Sequence, residues 1–261
     1  MLFGCARLCQ SPISPERPSL YAEFEDVIKT TEGNLFAGLQ TFPGDSYLLS
    51  AESELAKLLN EETRALGALE KSFLNNPRSS VIARRLASCY LINSEPDKAK
   101  KTIEAALAAN TGDRKLHYML AKILFEDSSV PPPTLEHHLR KSFAPGDKNY
   151  DAQLLYGRQL FINGQLDDSK QLFKKLSVAQ VPLHFRTTLL YPLEKTFVGS
   201  ISSLGPNHCW IRRDGLSDFI FAHRGDTPPD VWRALTHGDR VSFKIGFNFK
   251  GPTASALTIV T

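Results

Sequence analysis

Four flat rings stand at spacings that could do binding chemistry near the C-terminus. His208 and Trp210 are two residues apart, as are Phe221 and His223. In an extended strand, side chains alternate between the two faces, so each pair shares a face. The residues between and beside them, Cys209, Ile211, Ile220 and Ala222, then form the better inward set. Rings on adjacent strands make a platform on which unpaired bases can stack, at roughly 1–3 kcal/mol per base and with little regard to sequence. Arg212, Arg224, Lys244 and Lys250 surround the rings and are placed to meet phosphates, which would make binding fall with salt. Trp232, in the segment after two prolines, is expected either to extend the platform or to staple its own loop.

Charge supports this location. From Lys195 to Thr261 the chain has eight Lys/Arg against five Asp and no Glu, whereas residues 1–194 balance to zero, so the whole net charge of +3 falls in the last quarter. Enzymatic chemistry has no comparable footing. There is no Gly-rich phosphate loop followed by Lys and Ser/Thr, no His-Glu-x-x-His and no Gly-x-Ser-x-Gly. His137 and His138 are adjacent on a helix, and their side chains diverge by about 100°, a poor arrangement for sharing a metal. Cys5, Cys9, Cys89 and Cys209 show no pairing or ligand spacing, as in a reduced intracellular protein. The chain is therefore expected to be non-enzymatic, to need no cofactor or metal and to reside in the cytoplasm. No apolar run approaches a membrane span.

The elements that must position these residues fall into two kinds. From Thr196 onward, short alternating runs read as five strands: 197–201, 209–211, 219–221, 241–245 and 256–260. Gly205-Pro206, Asp214-Gly215, Pro228-Pro229, Gly238-Asp239 and Gly251-Pro252 read as the turns between them. Five short strands in the last 67 residues suit a small closed barrel. Upstream, a 34-residue period governs the chain. Leu86, Ala87 and Tyr90 recur as Leu120, Ala121 and Leu124, and again as Tyr156, Gly157 and Leu160 after a two-residue lengthening around Pro131-Pro132-Pro133. On the following helices Ala99, Ile103 and Ala106 answer to Ser169, Phe173 and Leu176, with Asn163-Gly164 as a turn; running backward, Ala65, Leu69 and Pro77 fall into phase.

These repeats resemble the tetratricopeptide repeat, paired antiparallel helices with small residues where the two cross. The resemblance covers roughly 44–182. It implies a concave face that takes a protein or peptide, lined here by Arg84, Tyr118, Lys122, Phe125, Arg158 and Phe161. The C-terminal stretch resembles the cold-shock domain. Asn207-His208-Cys209-Trp210-Ile211 and Phe221-Ala222-His223 match the family's two aromatic strand motifs in register, and Lys250-Gly251-Pro252-Thr253-Ala254 matches its closing pattern. The chain departs from that family at Ser202-Ser203-Leu204, where Lys and aromatics are usual, and at Arg224, where an aromatic is usual. Those departures imply a smaller, more polar platform.

The expected organisation is an N-terminal extension over 1–43, helical repeats over 44–182, a linker over 183–194 that packs against a neighbour, and the barrel over 195–261. In the extension, Pro12, Pro15 and Pro18 suggest extended or disordered chain. Ser19 can then cap an amphipathic helix carrying Leu20, Phe24, Val27 and Ile28, interrupted by Gly33 and Gly38. The fold class is thus multidomain α + β, TPR-like helices followed by an OB-fold barrel of cold-shock type. Two alternatives stay open: a scaffold whose barrel no longer binds nucleic acid, and the regulatory C-terminal part of a larger NTPase-type protein. Single-stranded RNA and DNA are equally admissible partners, and the oligomeric state is open.

Overall fold

The computed structural model describes residues 18–127, 129–216 and 218–260, with side chains from residue 25 onward. Pro12, Pro15, Cys5 and Cys9 lie outside the described residues. The chain packs as two compact units, Met1–Ser128 and Ser129–Thr261.

The first unit is a series of antiparallel helices: α1 (Pro18–Thr41), α2 (Ser46–Leu58), α3 (Glu62–Asn75), α4 (Ser80–Ile92), α5 (Pro96–Ala109) and α6 (Arg114–Glu126). Its N-caps are chemically explicit. Asp45 accepts from the Tyr47 and Leu48 amides at 2.8 and 2.9 Å, Ser79 caps α4, and Asp113 accepts from Leu116 at 2.9 Å. The 34-residue period is the packing period. Ala65, Leu69, Leu86, Ala87, Tyr90, Ala99, Ile103, Ala106, Leu120, Ala121 and Leu124 are all buried.

The turns inside the α2–α3 and α4–α5 hairpins also repeat. Asn60 and Ser94 adopt left-handed φ of 61° and 60°, and the next amides, of Glu61 and Glu95, each return 2.8 Å to the carbonyls of Ala56 and Tyr90. This is the Schellman closure of a helix end. The 24-residue α1 runs straight through Gly33 and Gly38, contrary to the interruption expected there. At Gly38 the reason is local: a Cβ would lie 3.1 Å from the Leu48 side chain, so glycine brings α1 close to α2, and this packing offsets its weak helix propensity. Arg64 on α3 ties three elements together, donating to Glu52 at 2.7 Å, Glu61 at 2.6 Å and Glu32 at 2.9 Å. These carboxylates, Glu52 first, hold its guanidinium above the ordinary arginine range.

The second unit joins the last helices to a barrel. Its helices are α7 (Pro132–Lys141), α8 (Tyr150–Ile162), α9 (Leu166–Val178) and the short α10 (Leu183–Thr187). The barrel strands are β1 (Phe197–Leu204), β2 (His208–Arg213) and β3 (Phe219–His223), then α11 (Pro229–Ala234), β4 (Arg240–Asn248) and β5 (Gly251–Ile259). The closed order is β1-β2-β3-β5-β4, with β3 and β5 parallel and the other neighbours antiparallel. A five-stranded closed barrel of this order, with a helix between β3 and β4, is the OB-fold arrangement. Gly251-Pro252, expected as a turn, instead begins β5, and the chain reverses at Phe249-Lys250. Gly251 has φ +119°, which glycine can adopt as the strand starts.

Helices and barrel share one core within this unit. Phe247 of β4 stacks on Phe173 of α9 at 6.1 Å and meets Phe161 of α8 edge-on at 5.5 Å. The segment between α10 and β1 is pinned to β4: Leu190 and Phe247 exchange amide bonds of 2.7 and 2.9 Å, and the Leu193 amide reaches the Ile245 carbonyl at 2.8 Å. The α8–α9 hairpin therefore follows the repeats by sequence period and the barrel by packing.

Candidate nucleic-acid interface

Strand alternation positions the rings. Along β2 the side chains run exposed, buried, exposed, buried, exposed, buried from His208 to Arg213, and along β3 Ile220 and Ala222 are buried between Phe219, Phe221 and His223. The inward set is fully buried: Cys209, Ile211, Ile220 and Ala222 expose none of their surface. That burial also pushes the Cys209 thiol up to about 11, so it is not a reactive group at neutral pH.

The β2–β3 register makes three outward rungs, His208 opposite His223, Trp210 opposite Phe221 and Arg212 opposite Phe219. Phe221 is central. His208 stacks on it at 5.8 Å and 18°, His223 at 6.5 Å and 24°, and Trp210 meets it edge-on at 5.4 Å. Trp210 keeps 40% of its surface exposed. His223 is held in orientation because its Nδ1 accepts the Gly225 amide at 3.1 Å, which puts the proton of the neutral ring on Nε2. On the far side of β2, Ser203 of β1 lies opposite Trp210, so the platform does not continue in rings onto β1.

The cations fall into two sets. Arg212 is on the platform itself, and exposed Arg224 follows His223, its amide bonded to the Asn207 carbonyl at 3.0 Å. Lys250 occupies the β4–β5 turn, just before the strand that pairs with β3 through Phe221 and Thr253. Lys244 lies on β4, which is separated from β3 by β5 and from β2 by β1; it is exposed but not on the platform strands. Among the described residues none of these four cations has a carboxylate within ion-pair distance, whereas three of the barrel's five acids are engaged within its own fold. Asp218 is held by both oxygens on Arg213 Nε at 3.0 and 2.9 Å, Asp214 pairs with Arg240, and Asp239 accepts from the Thr236 amide and hydroxyl at 2.7 and 2.8 Å.

Trp232 does not belong to this surface. It is 8% exposed, in the same core cluster as Leu235 and Val241. Pro228 and Pro229 start α11 rather than an open loop, and one turn later Trp232 and then Leu235 face the barrel interior. Phe219, by contrast, is an outward ring absent from the residues singled out by sequence. Period-two parity from Phe221 was the signal that could have found it.

The helical groove residues divide between the units. In the first, Arg84 is half-buried with its Nε donating to the Ser80 carbonyl at 3.1 Å, and Tyr118, Lys122 and Phe125 are half-buried on α6 at spacings of four and three, hence on one helix face. In the second, Phe161 does not line a groove. It is 7% exposed, packed under Phe247 and covered by the Arg213 guanidinium at 4.7 Å, because the barrel occupies that side of α8. Arg158 donates from Nε to the Tyr191 carbonyl at 3.0 Å, and its burial pulls the guanidinium down to about 10. The linker has thus taken the place a bound segment would need there. Among the described residues no cluster of three or more metal-ligating side chains occurs, and no helix is long and apolar enough to cross a membrane.

Among solved structures, the chain is similar to YrrB, a TPR protein with an unusual peptide-binding site, at 21% identity over 54% of this chain and 71% of that one, with a TM-score of 0.46. It is similar to MamA at 17% identity over 60% and 88%, TM-score 0.46, and to PilF of Pseudomonas aeruginosa at 15% over 60% and 72%, TM-score 0.47. No protein-family model matches the chain, and no curated protein does.

Proposed function

We propose that the protein is a non-enzymatic adaptor whose barrel binds single-stranded nucleic acid on the outer β2–β3 face, while its helical repeats engage a protein segment. One observation carries the first half. The barrel accepts a large buried ring, Phe243 of β4, yet β2 and β3 fill its interior with Cys209, Ile211, Ile220 and Ala222 and turn their rings outward. Leaving Trp210 40% exposed and Phe221 only half-buried forgoes part of their burial, which for a large apolar side chain is worth roughly 1.5–3 kcal/mol when complete. A stacking surface gives that exposure a use, and the corresponding strands of OB-folds are where oligonucleotides bind. The matching motifs around Trp210, Phe221-x-His223 and Lys250-Gly251-Pro252 make the barrel a cold-shock-like domain in this reading. Unpaired Arg212 and Arg224 supply the phosphate contacts.

For the helical part, the supporting feature is confined to the first unit: Arg84 on α4 with Tyr118, Lys122 and Phe125 on α6, a mixture of cations and rings suited to an acidic or amphipathic segment.

The test is fluorescence anisotropy with short unstructured oligonucleotides, RNA and DNA in parallel, over a salt series. Wild-type protein should bind at low salt and weaken as salt rises. Trp210→Ala together with Phe221→Ala should cost about 2–6 kcal/mol, two bases' worth of stacking. Unchanged affinity in that double variant would eliminate the platform. No binding by the wild type would instead select the scaffold alternative.

A further inference from the structure

The platform has a third rung whose pairing is unlike the other two. Phe219 and Arg212 are directly opposite one another on the outer β2–β3 face, continuing the rows of Phe221 and Trp210. Phe219 keeps 49% of its surface exposed, more than the 40% of Trp210. Among the described residues no cation lies over its ring. A single exposed phenylalanine needs no explanation. Here, however, the ring is in line with Phe221 and His223 on one strand and has an uncommitted arginine at its side.

The electrostatics at this end also differ from what the residue types suggest. Asp218 immediately precedes Phe219 and would oppose a phosphate. It is instead paired with Arg213, the two keeping only 16% and 9% of their side-chain surfaces. Asp214, beyond the other end of the strand pair's turn, is matched by Arg240. What remains facing solvent at the rung is the cation Arg212 beside an open aromatic face.

Spacing then selects the ligand. Successive outward positions on a strand are about 6.7 Å apart, twice the rise per residue. Bases stacked within one strand of a duplex are about 3.4 Å apart. A nucleic acid can place consecutive bases on successive rungs only if it is single-stranded and drawn out until its bases unstack.

We infer that Phe219 and Arg212 form a third nucleotide subsite, Phe219 stacking a base and Arg212 meeting the phosphate of the same nucleotide, so that the site takes at least three consecutive unstacked nucleotides. This inference rests on the platform reading above and adds to it a subsite that reading does not require.

The experiment uses the full chain with oligothymidylate and oligouridylate ladders lengthened one nucleotide at a time, affinity being read by anisotropy. Wild-type affinity should climb with each added nucleotide until the rungs are filled. Phe219→Ala should reach its plateau one nucleotide earlier and bind the longer oligomers about 5- to 150-fold more weakly. Phe219→Leu, which keeps an apolar side chain but no ring, should behave like Phe219→Ala. Arg212→Ala should lower the slope of log affinity against log salt by about 0.7, while the Phe219 variants leave the slope as it is. Both residues are exposed, so thermal unfolding midpoints should match the wild type. If Phe219→Ala or Phe219→Leu binds like wild type at every length while Trp210→Ala/Phe221→Ala loses affinity, the third subsite is wrong and the platform stands. If the wild type binds neither ladder, or the double variant binds normally, the platform falls and the subsite with it.

Discussion

Close approach is achieved differently in the two units. In the first, helices cross through small side chains: Ser53, Ala87 and Ala121 recur at the 34-residue period, all with no exposed surface. Space there is set by side-chain volume, and neighbouring side chains can adjust to part of a change. In the barrel, the tightest contact is backbone against backbone. A Cβ added to Gly199 of β1 would lie 2.4 Å from the Arg212 carbonyl oxygen and 3.0 Å from the Ile211 side chain. A hydrogen-bonded strand has no freedom to yield. The same rigidity keeps the outward rungs in fixed register, whereas exposed rings of the first unit, Phe36, Phe42 and Tyr47, come from α1, its following turn and α2 and follow no common row. A rigid face suits a ligand that must be met at set intervals; a compliant helical face suits a partner that repacks.

Substitutions that add or remove one atom separate the two regimes. The largest effect is expected for Gly199→Ala, which must part β1 from β2 or shift β1 against β4, to which Gly199 also pairs through Val241. A loss of about 3 kcal/mol or more is expected, the upper end of overpacking costs, read as a lowered denaturant midpoint and loss of oligonucleotide binding. In contrast, Gly67→Ala on α3, where a Cβ meets nothing within 4 Å, should raise stability by about 0.5–1 kcal/mol. If Gly199→Ala is as mild as an ordinary surface change, β1 is more compliant than its pairing implies.

Gly157 tests the boundary between the regimes, being a helix-crossing residue inside the barrel's unit. An added Cβ would meet the Phe173 ring at 2.8 Å, and Ser169 Oγ donates to the Gly157 carbonyl at 2.8 Å. The obstacle is a side chain, but one 2% exposed and stacked on Phe247. Gly157→Ala should therefore cost about 1–3 kcal/mol, less than Gly199→Ala and of opposite sign to Gly67→Ala. Thermal unfolding of the full chain with an added probe of the barrel, Trp210 or Trp232 fluorescence, reads it.

What could be read from the sequence follows the same division. Strand parity is a local rule, so the outward placement of His208, Trp210, Phe221 and His223 and the inward placement of Cys209 and Ala222 were available from spacing alone, and extending the row by two would have added Phe219. The helical period likewise gave the buried set from Leu86 to Leu124. Trp232 and Phe161 escaped because their surroundings are non-local: nothing near Trp232 in the chain announces that α11 points into the barrel, and α8 carries no local sign that β4 covers it. Gly38 escaped for the same reason, its value lying in Leu48 of another helix. The αL turns were half legible, Asn163-Gly164 by type, Ser94 only by its phase.

Ser53 sharpens the comparison in the compliant regime. Among the described residues its buried Oγ has no hydrogen-bond partner, while Ala87 and Ala121 occupy the equivalent crossings. A methyl group is evidently accommodated there, and an unsatisfied buried hydroxyl costs about 1–3 kcal/mol. Ser53→Ala should raise stability by about 1 kcal/mol, seen as a higher urea midpoint at unchanged slope. A loss of stability would mean that the hydroxyl is satisfied after all and that the crossings are less alike than their period indicates.

The smallest effect expected is at a turn rather than a crossing. Ser94 holds φ 60° so that α4 can close on α5 through the Ser94 amide to Leu91 at 3.1 Å and the Glu95 amide to Tyr90 at 2.8 Å. A left-handed conformation costs a residue with a Cβ about 1–2 kcal/mol, which glycine does not pay, but glycine also gains freedom in the unfolded chain, cancelling part of the benefit. Ser94→Gly should thus stabilise by about 0.5 kcal/mol, and Asn60→Gly by less, because asparagine tolerates this conformation better than serine. The reverse change in the other unit, Gly164→Ser at φ 77°, should destabilise by a similar amount, since its turn makes the same pair of bonds, to Phe161 at 3.2 Å and, from the Gln165 amide, to Leu160 at 2.9 Å. Equal and opposite shifts would show that the hairpin turns are interchangeable between units even though the surfaces around them are not; a much larger loss at Gly164 would mean that the barrel has made the turn of its own hairpin as intolerant as its strands.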